Sequence, residues 1–297
     1  MNDYVIKAIA ADNCIRAYSA TTANLVEEAR ARHNTSPIAT AALGRLLTAG
    51  TMMGSMLKNT TEKLTLKISG NGPIGGVVVT ADGQANVRGY VHHPQVMLPP
   101  TDAGKLDVAG AIGIGILSVS RDSGLGEPFT GNCILVSSEI AEDLTYYYAT
   151  SEQTPSSVAL GVKMNKNNTV KCAGGFIIQL MPGAPEEIVA VLEEKITSLP
   201  PITTLLEQNM TPEEILQFVL ADFSPKIMDK LPTQFQCSCS RDCIVKAISG
   251  LDKQELASWI KDQVPIEAVC EFCGEKYQIS GEELQQIFQQ NEDTPLS

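Results

Sequence analysis

Cys237, Cys239, Cys243, Cys270 and Cys273 place five of the chain's eight cysteines within 37 residues. Their order is Cys-x-Cys, then a gap of 30 residues, then Cys-x-x-Cys followed by Gly274. A tetrahedral zinc ion takes four soft ligands, usually from two short chelating pairs, and a Cys-x-x-Cys-Gly knuckle turns backbone amides toward its sulfurs. The first pair is tighter than usual, and the gap is longer than the roughly 15–20 residues of an ordinary zinc ribbon. No histidine follows His93, so a metal held here has sulfur ligands only. The expected set is Cys237, Cys239, Cys270 and Cys273, with Cys243 either a rival ligand or a small residue in the first turn of a helix.

Four thiolates close the metal's shell, whereas a catalytic zinc normally keeps a position open for water. The expectation is therefore no enzyme and no catalytic residue. Two uses of such a centre remain open. One is a purely structural ion. The other is a redox switch, because an oxidant such as peroxide carries thiolate to sulfenic acid and then to disulfide, and oxidised sulfur no longer holds the metal.

The elements around the cluster suggest three parts and an α+β fold class. In residues 1–180, Leu64-Thr65-Leu66-Lys67-Ile68 before the Gly70-Asn71-Gly72-Pro73 turn, and Gly76-Val77-Val78-Val79 before Asp82-Gly83, predict antiparallel strands. Ala39 to Lys58 is a helical pattern with few charges, so it should be mostly buried. This N-terminal domain therefore mixes sheet and helix. Residues 181–232 read as a helical linker: Glu186 to Ser198 is amphipathic, and Thr211-Pro212-Glu213-Glu214 starts a second helix with a capping box. These stripes cannot be buried within the linker, which should pack on the sheet domain. Residues 233–297 form a small C-terminal all-cysteine zinc domain with few large apolar side chains and one tryptophan, Trp259. A module of that size usually needs a metal, disulfides or a partner.

Composition narrows the function further. Net charge is −12, yet residues 1–180 hold 14 basic and 14 acidic side chains, and residues 181–297 hold 8 and 20. An acidic module beside a neutral one has the wrong sign for a phosphate backbone, so nucleic acid is not an expected partner. The first 20 residues lack a signal-peptide pattern, and the longest apolar run, Val108 to Val119, is too short to span a bilayer. The protein is expected to be cytoplasmic, with no membrane partner, where clustered thiols point to metal or redox chemistry.

Other features have plainer explanations. Gly113-Ile-Gly115 lacks the third glycine of a dinucleotide loop, and no Gly-Lys-Ser/Thr phosphate loop is present. Neighbouring His92 and His93 would point to opposite faces of a strand, which suits a solvated pair better than a metal site. His33 fits a helix end. Cys14, Cys133 and Cys172 are isolated and suit small apolar roles, as Met52, Met53 and Met56 suit a core. Ser151 lacks a nucleophile elbow.

Cys237-Ser-Cys239-Ser-Arg and Cys270-Glu-Phe-Cys273-Gly-Glu-Lys-Tyr closely resemble the zinc motif of the thirty-three-kilodalton heat-shock chaperone family of bacteria. Arg32-His33-Asn34-Thr35-Ser36-Pro37, Ala42-Leu43-Gly44-Arg45, Arg88-Gly89-Tyr90, Ser151-Glu152-Gln153-Thr154-Pro155-Ser156 and Gly174-Gly175-Phe176-Ile177-Ile178-Gln179 resemble family signatures in family order, so the likeness covers essentially the whole chain. The resemblance implies a redox-regulated, ATP-independent holdase that binds unfolding client proteins under oxidative and heat stress. It implies a reduced, inactive form with one zinc per chain on Cys237, Cys239, Cys270 and Cys273. In the active form it implies Cys237–Cys239 and Cys270–Cys273 disulfides, zinc release, a loosened linker and a homodimer. The three parts then become a chaperone domain (1–180), a linker (181–232) and a redox-switch domain (233–297). Cys243 is not among the family's four ligands, and this additional thiol bears on which disulfides form.

Overall fold

The computed structural model describes residues 2–251, 258–259 and 265–285, so residues 286–297 of the expected zinc domain lie outside the described residues. Two compact units divide the chain, residues 1–236 and 237–297. The α+β class expected from the sequence is the class observed.

The first unit opens with strands β1 (Tyr4–Ala10) and β2 (Ile15–Thr21), followed by helices α1 (Ala23–His33) and α2 (Pro37–Ser55). Strands β3 (Lys63–Gly70), β4 (Gly76–Asp82) and β5 (Asn86–Val91) follow, then a short helix α3 (Val108–Ile112) and strands β6 (Gly115–Asp122) and β7 (Phe129–Ile134). Helix α4 (Ile140–Thr150) leads into β8 (Ser156–Met164) and β9 (Val170–Leu180). Three more helices, α5 (Glu186–Thr197), α6 (Ile202–Glu207) and α7 (Pro212–Val219), precede β10 (Lys226–Pro232) and β11 (Gln234–Phe235). Two sheets result, in the orders β10-β1-β2-β9-β8 and β11-β5-β4-β3-β6-β7.

Helix α2 is the centre of this unit. Apart from Pro37 and Arg45 every residue in it is buried, because it packs against strands of both sheets. Such all-round burial explains its apolar sequence, and Ser36 caps it by accepting a hydrogen bond from the Ala39 amide. Close packing needs glycine at position 44, where an added Cβ would lie 2.6 Å from Val26 and 2.8 Å from Val162. Helix α1 is capped from a distance: the buried Asp3 carboxylate accepts from the Leu25 amide at 2.7 Å, and burial raises that carboxyl's pKa to about 6.

The two sheets differ in how they are covered. In β3, Leu64, Leu66 and Ile68 face inward while Lys63 and Lys67 face solvent, the alternation of a one-sided antiparallel sheet. The five-stranded sheet is covered on both faces. Val5, Tyr18 and Ala20 join the core around α2. Ile6, Ala8, Ile15, Ala17 and Phe176 join a second core with Leu205, Leu206, Ile215 and Leu216 of α6 and α7. Double coverage is why β9 reads as a nearly continuous apolar run.

The segment expected to be a helical linker holds three helices and then a strand. Pro225 and Pro232 bracket β10, whose side chains are mostly exposed, and its backbone completes the open edge of β1 from Tyr4↔Pro232 to Ile9↔Lys226. Proline and an unpaired sheet edge outweigh helical propensity here. Two expectations for the helices hold: Thr211 and Glu214 form a reciprocal capping box, and Ile215, Leu216 and Val219 are fully buried. In α5, by contrast, only Leu192 is buried. Among the described residues no helix is long and apolar enough to cross a membrane.

Candidate metal centre

The second unit is built around two short elements. Helix α8 (Arg241–Ser249) begins immediately after Cys239, with Ser240 as N-cap accepting from the Cys243 amide at 3.3 Å. Strands β12 (Ile266–Val269) and β13 (Lys276–Ile279) form an antiparallel hairpin in the register Ile266↔Ile279 to Val269↔Lys276. The hairpin turn is the Cys-x-x-Cys knuckle. Cys270 donates its amide to Glu275 O at 2.9 Å, and Cys270 O accepts from Gly274 N at 2.8 Å. Gly274 has φ +73°, a left-handed conformation that a residue with a Cβ rarely adopts, which accounts for glycine after the second cysteine.

The sulfurs of Cys237, Cys239, Cys270 and Cys273 all lie within 4.8 Å of one another. Cys237 Sγ is 3.8 Å from Cys270 Sγ, and Cys239 Sγ is 3.3 Å from Cys273 Sγ. An ion bound tetrahedrally by thiolates at about 2.3 Å separates its sulfurs by about 3.8 Å, so the group has the size and donor chemistry for one soft divalent cation. Burial pushes the Cys270 and Cys273 thiols up when no cation faces them. A bound cation reverses that balance and holds the sulfurs deprotonated.

Cys243 is exposed and lies outside this group, where hydrogen bonding to Ser240 lowers its thiol pKa. Of the isolated cysteines, Cys172 is buried while Cys14 and Cys133 are half-buried. His92 and His93 are both exposed, and His92 stacks on Tyr90.

Two supporting contacts went unnoticed at the level of sequence. Tyr277 donates its hydroxyl to Cys239 Sγ at 3.2 Å, bridging the hairpin to the first ligand pair. Arg241 donates to both Glu283 oxygens, at 2.7 and 2.8 Å, and to Gln278 O at 2.8 Å. The signal for Tyr277 was its place four residues after Cys273, where the returning strand passes the metal pair. Outer contacts of this kind commonly carry ten- to hundredfold in metal affinity. Tyr277→Phe is expected to weaken metal binding by about tenfold or more, read by competition with a chelator, and unchanged affinity would show that the hydroxyl is idle.

Among the described residues the second unit buries the large apolar side chains Ile248, Ile279 and Leu284, with Trp259, Ile244 and Ile266 packed against them. Ordering costs about 1–2 kcal/mol per residue in backbone entropy, more than these few side chains among the described residues offset.

Residues 3–280 match the family model described as Hsp33 protein. The chain is 56% identical over 287 residues to the 33 kDa chaperonin of Lachnoclostridium phytofermentans, covering 97% of this chain and 98% of that protein. It is 49% identical over 284 residues to the 33 kDa chaperonin of Staphylococcus aureus strain Newman, covering 95% and 97%. The crystal structure of the 33 kDa chaperonin, a heat shock protein 33 homolog, from Thermotoga maritima superposes with a TM-score of 0.91 at 38% identity, over 99% of this chain and 100% of that one.

Proposed function

The chain belongs to the Hsp33 family, and on that premise we propose that it is an ATP-independent holdase switched on by oxidation of its four-cysteine centre. The protein binds non-native polypeptides, acts in the cytoplasm, and in its reduced form carries one zinc on Cys237, Cys239, Cys270 and Cys273. When bound, zinc holds these sulfurs as thiolates and supplies on the order of 10–16 kcal/mol of folding free energy. The observation that carries this reading is the convergence of four sulfurs within 4.8 Å in a unit with few buried apolar side chains among its described residues.

Oxidation converts neighbouring sulfurs in pairs. One thiolate attacks peroxide and becomes a sulfenic acid as the O–O bond breaks and hydroxide leaves. Its partner's sulfur then displaces the sulfenic oxygen, which takes up a proton from solvent and leaves as water, so each cysteine pair passes two electrons to one peroxide as its disulfide forms. By family likeness the pairs are Cys237–Cys239 and Cys270–Cys273, and mutual distances within 4.8 Å bring every pairing within reach. With its ligands gone the second unit unfolds. The linker helices loosen, the surfaces of Leu205, Ile215 and Leu216 become available to clients, and active subunits pair as homodimers.

The test is peroxide with mild heat, followed by zinc release with a chromogenic chelator and suppression of client aggregation by light scattering. About one zinc per chain should appear in step with activity. A structural or docking module would keep its zinc, and activity equal before and after oxidation would remove the switch.

A further inference from the structure

Strand β8 closes the five-stranded sheet on one side: it pairs with β9 and with no other described strand. Pro155 O accepts from Leu180, so odd-numbered residues of this stretch direct their backbone groups toward β9. Even-numbered residues direct theirs outward, as Val158 shows by donating its amide to the Thr145 hydroxyl at 3.2 Å. Leu160 and Val162 follow in unbroken register, since the bulge comes only after Lys163, and their amides and carbonyls also face away from β9.

This open edge is recessed. Leu160, Gly161 and Val162 are buried, and the strand forms the floor of a groove of about 760 Å³. One wall comes from α2, α4 and the loop before α3, through Ala41, Arg45, Leu106 and Ala141. The other runs from the end of α5 to the start of α6, with Ile196, Leu199, Pro200, Pro201 and Ile202. Side chains of β8 support both walls: Leu160 and Val162 lie in the core around α2, while an added Cβ on Gly161 would meet Ile202 and Thr203 at 2.7 Å.

We propose that this edge receives an extended segment of an unfolding client, which adds to the sheet as a sixth strand. Main-chain hydrogen bonds recognise polypeptide without regard to sequence, and alternate side chains of the added strand meet two mainly apolar walls. A second folded copy does not fit the role, because its own β8 is equally recessed and two such floors cannot meet. Only a strand unaccompanied by helices can reach the floor, and that is the state of a non-native chain. The groove's charged lining, Arg45, Lys105 and Lys163 against Glu142 and Glu207, is nearly balanced, which admits clients of either charge. Its second wall is linker chain, so loosening the linker widens the groove. The inference therefore rests on the holdase reading and specifies where that holdase takes hold.

Hydrogen exchange on the oxidised full chain, with and without reduced and alkylated lysozyme as a permanently unfolded probe, tests it. The Leu160 and Val162 amides should slow by about tenfold or more on binding, while β9 amides that already pair stay unchanged. A photo-crosslinking side chain at Ser157 or at Lys163 should capture the probe, and the same group at Thr80, on the outer face of the other sheet, should not. Bound probe with unchanged edge exchange, or equal capture at Thr80, overturns the edge proposal and leaves the holdase reading standing. Failure of the oxidised chain to bind the probe overturns both.

Discussion

Cys273→Ser is expected to unfold the second unit while residues 1–236 keep their structure. Three sulfurs and a hydroxyl form a poor soft-metal site, and Cys273 is buried at the tip of the hairpin where water cannot readily complete the shell. The loss approaches the whole metal contribution, on the order of 10 kcal/mol, because among the described residues only a small core around Ile248, Ile279 and Leu284 opposes it. Hydrogen exchange of the reduced variant should show full exposure of β12 and β13 and continued protection of α2 and β3. A variant that keeps a protected β12–β13 hairpin would show that packing, not metal, organises the unit, and the switch would lose its basis.

Leu216→Ala separates the linker from the metal. Leu216 is fully buried in the second core together with Ile215, Val219 and Leu220, and α7 packs there on β2 and β1. Truncating such a leucine costs about 2–5 kcal/mol. If that cost falls on docking of the linker, the population of the loosened form rises by roughly 30- to several thousandfold, at about 1.4 kcal/mol per factor of ten. The reduced, zinc-loaded variant is therefore expected to suppress client aggregation without peroxide. Zinc content should stay at one per chain, since α7 supplies no ligand. Should linker amides lose protection while the reduced variant stays inactive, linker docking is not the gate.

The sequence made the local chemistry more visible than the long-range pairing. The knuckle was legible because four-ligand metal sites impose short spacings, and the α7 capping box was legible because both partners lie within four residues. The partners of β1 were not: β10 lies more than two hundred residues away and almost all its side chains are exposed, so no apolar alternation marks it. Nor did the sequence explain Ser151-Glu152-Gln153-Thr154. In the fold this loop ends α4 with Gln153 at φ +51°, while Glu152 accepts from the Tyr147 hydroxyl at 2.6 Å and pairs with Arg121 of β6 at 2.9 Å. A joint between a helix end and a distant strand leaves no periodic trace. Tyr277 escaped for a similar reason, since its role depends on a contact across 38 residues.

The strand β10 has a consequence for reversibility. With β9 holding one end and β10 the other, the stretch from 181 to 225 is a closed bow, not a trailing tail, whenever its helices let go. Closure entropy grows only with the logarithm of length, so a bow of this size recoils at a cost of a few kcal/mol, far less than gathering a free end from solution. Once reductant and metal return, the same anchors that limit how far the chain strays also shorten its way home.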